Sequence, residues 1–240
     1  MRRVKISVLI NSLNYGQFLE AAIKSVLMQN YPRELYEIIV VDAGSTDNTD
    51  SILKKYASEL KVIYQRGKLG LATGCNLGIK ASSGEYILRL DADDAFCQNI
   101  LFIESLFLDE NPDIGFVYPD YLVGENQKLT RVHLPPFQAG EIYRRGDFLG
   151  GGTMYRREIF TRYGYYDENL KTIENYELVL RLLKNDVSGL HIELPLFIYN
   201  YHQDSMSGNQ KLMLETGKVI GMKYGIKYKI GKYHPRNVKF

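Results

Sequence analysis

Four compact apolar runs, Val4 to Ile10, Tyr36 to Val41, Lys61 to Gln65 and Glu85 to Leu90, alternate with segments of helical spacing. Phe18, Leu19, Ala22, Ile23, Val26 and Leu27 recur on one helical face, and residues 48–59 form a second helical segment after the turn Gly44-Ser45-Thr46-Asp47. A third helix is expected from about Leu71 to Ala81, closed by Ser83-Gly84. Short strands that alternate with helices across short loops must lie parallel, with helices covering both faces. The expected fold class is therefore α/β: a Rossmann-like, mostly parallel sheet with helices on both faces and a mixed back half.

Ligands of such sheets bind beyond the carboxyl ends of the strands. Asn11-Ser12, Asp42 and Asp91-Asp93 are each the first polar residues after a strand, so all should share one rim. The stretch Asp91-Ala92-Asp93-Asp94 is the sharpest of these signals. Like charges packed so closely are unfavourable unless something positive sits among them. Asp91 and Asp93 are two apart and point the same way in extended chain, which suits two oxygen ligands for Mg2+ or Mn2+. A solvated acidic turn, with Asp94 capping the next helix, explains the same residues without a metal. Caps explain Ser12 and Asp47 adequately, and Asp42 and the three carboxylates less well.

The pattern loosens after residue 97. A helix is expected over Ile100 to Asp109, strands over Ile114 to Val123 and Leu129 to Leu134 with a turn at Gly124-Glu125-Asn126, and a helix over residues 173–185. Two apolar runs, Gly189 to Leu194 and Leu196 to Tyr201, flank Pro195, and Gly150-Gly151-Gly152 is either a tight turn or a place where backbone meets ligand closely. Residues 1–210 read as one domain, with halves at 1–110 and 111–210, followed by a basic helix or tail over 211–240. That tail carries seven Lys and one Arg against one Glu, whereas the whole chain has a net charge of only +2. No nucleic-acid partner is expected from so weak an overall charge. Cys75 and Cys97 stand in no metal-like spacing, and no apolar run approaches a membrane span. A reducing, cytoplasmic setting is the expectation.

Several of these stretches, taken together, resemble family 2 glycosyltransferases. They are Gln29-Asn30-Tyr31-Pro32, Val41-Asp42-Ala43-Gly44-Ser45-Thr46-Asp47, Asn76-Leu77-Gly78-Ile79, Ser83-Gly84-Glu85-Tyr86-Ile87 and Leu90-Asp91-Ala92-Asp93-Asp94. The likeness is close over residues 4 to about 110 and weaker through Gly164-Tyr165-Tyr166-Asp167-Glu168, Glu174-Asn175-Tyr176-Glu177 and Tyr199 to Ser207. It implies a GT-A fold, a nucleoside-diphosphate sugar donor (UDP-sugar by default) and a divalent metal, Mg2+ or Mn2+. The acceptor would be a hydroxyl or phosphate of a glycan or lipid-linked molecule. By the same resemblance, Ser12, Asn14, Asp42, Gly70, Asn76, Asp91 and Ala92 would bind the nucleotide sugar. Asp93 would be the principal metal ligand, supported by Asp94 and His202.

Two departures bear on function. Leu13 stands where the family often has Tyr, so the base is not specified. Asn175 stands where members usually carry the Asp that acts as general base, and an amide cannot take up a proton at neutral pH. Glu174, Glu177 or Asp167 could serve instead, or a phosphate acceptor could need little deprotonation. A nucleotide-sugar-binding protein with weakened catalysis is the alternative that Asn175 favours. A nucleotidyltransferase is disfavoured because Asn11-Ser12-Leu13-Asn14-Tyr15-Gly16 holds no basic residue for a triphosphate. From Ile226 onward apolar and basic residues alternate, which predicts an extended segment able to meet an anionic surface at the inner face of a membrane.

Overall fold

The computed structural model describes residues 3–65, 67, 70–125, 128–145, 149–202, 205 and 208–237. Asn126 of the expected turn, four of the residues around His202 (Gln203, Asp204, Met206, Ser207) and Lys239 of the tail lie outside the described residues. The front half follows the expected alternation: β1 (Ile6–Ser12), α1 (Gly16–Leu27), β2 (Tyr36–Asp42), α2 (Thr49–Lys55), β3 (Lys61–Tyr64), α3 (Leu71–Ala81) and β4 (Tyr86–Asp91). The back half holds β5 (Ala95–Phe96), α4 (Ile100–Glu110), β6 (Ile114–Glu125), β7 (Lys128–Val132), α5 (Ala139–Arg145), β8 (Met154–Arg156), α6 (Glu158–Tyr163), α7 (Glu174–Lys184), β9 (Ser188–Asn200) and α8 (Gln210–Tyr224).

The strands form one sheet in the order β3-β2-β1-β4-β8-β6-β9-β5, with β7 paired to β6. β1, β2, β3 and β4 are parallel, and β8 enters antiparallel between β4 and β6. β1, β2 and β4 are buried on both sides, which is why they read as continuous apolar runs rather than alternating ones, while the edge strand β3 is partly exposed.

Three features differ from the sequence expectation. The two runs around Pro195 form a single strand, β9. It pairs with β6 across register irregularities at Pro119, Asp120 and Tyr121, with Asp120 opposite Pro195, and such a bulge accommodates a proline that cannot donate to the ladder. β8, α5 and α6 are too short to leave a periodic signature. The tail begins as helix α8 and becomes irregular only after Gly225, which caps the helix in the left-handed region at φ 67°. Beyond it, Ile226, Tyr228 and Ile230 are half-buried while Lys227, Lys229 and Lys232 are exposed. The predicted alternation is therefore present, but its apolar side packs on the protein.

Candidate active site

Register brings the strand ends together. Ser12 is paired with Asp42, and Asn11 with Asp91, so the three rim positions lie side by side. Beyond them opens a cavity of about 460 Å³, lined on one side by Ser12, Tyr15, Gly70, Asp91, Ala92 and Asp93. Its other side is formed by the back half, including Thr172, Glu174, Asn175, Tyr118 and Tyr199.

The positive charge that the acidic stretch requires comes from its own strand. Arg89 and Asp91 point to the same face of β4, and the guanidinium grips Asp91 through Nε (2.8 Å) and Nη2 (3.1 Å). Its Nη1 donates to Glu174 Oε1 at 2.6 Å, crossing from β4 to the first turn of α7. Burial works against the Arg89 charge, and Asp91 and Glu174 outweigh it, so Arg89 holds its proton more tightly than usual. Of the three carboxylates considered as base, only Glu174 lines the cavity. Its Oε1 carries the contact to Arg89 and, at 3.5 Å, one from the Asn175 amide. Just before it, Ile173 sits at φ 50°, ψ 30°, an uncommon conformation for a β-branched residue, and itself lines the cavity. Asn175 is at the cavity too, and its buried Oδ1 has no hydrogen-bond partner among the described residues.

Glu177 and Asp167 belong to a different arrangement. Glu177 is fully buried and accepts from Arg181 (2.6 Å), Lys223 (2.8 Å) and the Tyr224 hydroxyl (2.7 Å). Asp167 accepts from Lys223 at 3.2 Å. Both carboxylates fasten α8 to the domain rather than facing the cavity.

Asp93 lines the cavity and meets His202, which does not line it, with His202 Nε2 at 2.9 Å from Asp93 Oδ2. The imidazole stacks on Phe18 at 4.6 Å between ring centres, and its buried Nδ1 has no partner among the described residues. Burial and then the neighbouring Asp91 push the Asp93 carboxyl above the usual range, with His202 opposing. Asp94 is likewise pushed up by burial and by Asp93 and Asp91, and its Oδ1 accepts the Asn200 amide of β9 at 2.8 Å. Among the described residues no three His, Cys, Asp or Glu groups form a ready-made metal cage. Two donors and an excess of unneutralised carboxylate instead suit a hard cation that completes its shell with ligand oxygens and water. Asp94, tied to β9, contributes charge more than an available oxygen.

Other expected binding residues hold the rim in shape. Asp42 is buried, accepts the Ser45 amide at 3.2 Å and does not line the cavity. Asn14, at φ 60°, accepts the Thr46 amide at 2.7 Å and so ties the first loop to the second. Asn76 is buried and bonds the backbone of Tyr166 through both ends of its amide, at 2.9 Å each, joining α3 to the back half. Burial pushes the Cys75 thiol up to about 12, so it supplies no thiolate nucleophile.

The profile of Glycosyl transferase family 2 matches residues 7–164. The chain belongs to that family. An uncharacterized glycosyltransferase of Rickettsia conorii is 30% identical over 203 residues, 79% of this chain and 32% of that protein. The chain thus spans about a third of that relative's length. TarS 1-349 of S. aureus, solved with UDP-GlcNAc, superposes with a TM-score of 0.75 at 19% identity, covering 94% of this chain and 68% of TarS 1-349. The mannosyltransferase PcManGT of Pyrobaculum calidifontis, solved with GDP-Man and Mn2+, superposes with a TM-score of 0.74 at 16% identity, covering 99% and 68%. These likenesses show the fold, GT-A. The family 2 chain has that fold, and among its described residues no helix is long and apolar enough to cross a membrane.

Proposed function

We propose that this family 2 enzyme is a metal-dependent, inverting transferase that moves a sugar from a nucleoside diphosphate to an acceptor oxygen. The observation that carries the reading is one cavity bounded by the Asp91–Asp93 rim on one side and Glu174 on the other. The nucleotide lies along Ser12, Tyr15 and Gly70, with Asp42, Asn14 and Asn76 keeping that rim in shape. A UDP-sugar is the default donor, and the donors bound by the two fold relatives support the class rather than the base.

Asp93 and His202 would hold Mg2+ or Mn2+, which when bound neutralises charge growing on the leaving diphosphate. Arg89 orients Glu174 and bridges it to Asp91. Glu174, through Oε2, takes the proton of the acceptor hydroxyl as that oxygen attacks the anomeric carbon from the face opposite the diphosphate. Glu174→Gln keeps the shape and removes basicity. Turnover should fall by about 10²–10⁴-fold with donor affinity nearly unchanged. Near-native turnover in that variant would clear Glu174.

Asn175, whose buried Oδ1 is partnerless among the described residues, favours a second reading: a nucleotide-sugar-binding protein with weakened catalysis. Release of UDP from UDP-sugars with added Mn2+ separates the two, since the binder would hold donor without breaking it. The acceptor is a glycan or lipid-linked molecule. Contact with an anionic membrane is proposed for the outer side of α8, where Lys211 and Lys218 accompany exposed Leu214, Val219 and Met222. Salt-sensitive co-sedimentation with acidic but not neutral vesicles tests it.

A further inference from the structure

The segment after α8, residues 226–237, lies back on the protein as a strap. Gly217 and Gly221, one helical turn apart, leave a groove on α8 that this strap fills. A Cβ at Gly217 would stand 2.0 Å from the Tyr228 ring, and one at Gly221 would stand 2.5 Å from the Ile226 carbonyl oxygen. Tyr228 also packs on Tyr176 of α7, at 5.6 Å between ring centres. Farther along, the Tyr121 hydroxyl of β6 donates to the Tyr233 carbonyl. The strap ends beside the cavity, where His234 and Pro235 join the lining.

This seating turns the basic side of the strap outward. Ile226, Tyr228 and Ile230 are half-buried, whereas Lys227, Lys229 and Lys232 are exposed. Residues 226–237 contain no acid. Among the described residues no carboxylate pairs with Lys227 or Lys229, and Lys232 lies over the Tyr233 ring at 4.6 Å. Elsewhere exposed lysines are drawn to acids: Lys24 and Lys55 to Glu20, at 2.9 and 2.8 Å, and Lys54 to Asp50 at 2.6 Å. Residues 211–240 carry seven Lys and one Arg against one Glu, or +7, so residues 1–210 hold −5 of the net +2. A tail whose charge served only to fasten it would pair with that acidic body, as Lys223 does with Glu177 and Asp167. The strap lysines stay unpaired, and like charges held in a row favour an anion among them. Alternate residues of extended chain lie about 7 Å apart, so Lys227 and Lys229 present their amines at roughly that interval. Such a row matches a chain whose negative charges recur along its length. A bilayer fits less well, because an interfacial segment lays its apolar side into the membrane and the strap's apolar side packs on the protein.

We propose that the outer side of the strap is a docking track for a linear polyanion, a polymer of repeated phosphate or carboxylate groups. The polymer lies across Lys227, Lys229 and Lys232, outside the cavity, and the strap's course brings it alongside the cavity. Lysine amines act as point charges without a fixed fork, so the track selects for charge along a chain rather than for one anion geometry. Docking of this kind goes beyond sugar transfer and holds whether or not the cavity transfers sugar.

The test titrates the full chain at low salt with inorganic polyphosphate, polygalacturonate or neutral dextran, read by calorimetry. At least one polyanion should bind and dextran should not, and the tighter polyanion identifies the anion as phosphate or carboxylate. An exposed ion pair contributes a factor of at most about five, so Lys227→Gln/Lys229→Gln/Lys232→Gln should weaken binding by roughly ten- to a hundredfold and flatten its salt dependence. Tm and UDP affinity should stay at native values, since the three amines are exposed and outside the cavity. Lys211→Gln/Lys218→Gln, on α8, should bind polymer as the native chain does. Binding of neither polyanion, native affinity in the strap variant, or equal weakening in the α8 variant would overturn the proposal. So would a strap variant that keeps polymer binding and loses binding to phosphatidylglycerol vesicles, because the strap would then face a membrane.

Discussion

Replacing Arg89 by Met, which keeps most of the side-chain volume, should destabilise the fold sharply. Arg89 and Glu174 are 7% and 3% exposed and meet at 2.6 Å, so their contact is not screened by water. Asp91 is 29% exposed, and its contact to Arg89 counts for less. Removing one member of a buried pair strands the other charge and costs about 3–5 kcal/mol, against about 1 kcal/mol for a screened pair. Taking about 3 kcal/mol for the Glu174 arm alone, Tm should fall by roughly 6–12 °C for a chain of this size. Urea unfolding should show a lower midpoint with an unchanged slope. The double variant Arg89→Met/Glu174→Gln removes both charges and should recover at least ~1 kcal/mol relative to the sum of the single losses. A single variant within about 1 kcal/mol of native, or strict additivity in the double variant, would refute the view that Arg89 stabilises the buried carboxylate.

Glu177→Gln should cost about 2–3 kcal/mol at neutral pH while leaving UDP affinity unchanged, because Glu177 holds α8 and not the cavity. Burial raises the Glu177 carboxyl, but Arg181, Lys223 and Tyr224 outweigh it and hold it below the usual range. This contribution is present above about pH 4.3 and is lost as pH falls further, so the variant's deficit should shrink in acid unfolding. Glu104 is the opposite case: fully buried, neither oxygen partnered among the described residues, and pushed well above the usual range by burial. Native stability should decline by up to about 1.4 kcal/mol per pH unit as pH rises above about 4.3, and Glu104→Gln should remove that slope in urea titrations at pH 5 and 8. Asp93→Ala should fold normally and lose the Mn2+ dependence of nucleotide binding by calorimetry. Retained dependence would displace Asp93 from the metal.

The front half was legible because its information is local. Strand runs, turns and helix spacing fix a parallel sheet, and a parallel sheet fixes where strand ends converge, hence Ser12 beside Asp42 and Asn11 beside Asp91. Arg89 was legible in principle. Like charges demanded a positive neighbour, and a residue two before Asp91 shares its face in a strand. Local pattern could not say which polar groups face the cavity and which hold loops. Asn14 is a loop residue, Asp42 a first polar residue and Asn76 a helix residue by sequence, yet their hydrogen bonds close the scaffold.

The same limit explains α7 and the tail. Glu174 and Glu177 lie three apart and share a helical side, so periodicity treats them as equals. Only Arg89, reaching across from β4, and Lys223, reaching across from α8, divide them into a cavity group and a fastening. The alternation of Ile226, Lys227, Tyr228, Lys229 and Ile230 likewise announces one wet and one dry side without saying what covers the dry one. The answer lies in two glycines on α8, whose missing side chains make room for the strap. Contacts of such long sequence separation shape the cavity, since the fold brings His234 and Pro235 of the tail into the lining that Asp91 and Asp93 share.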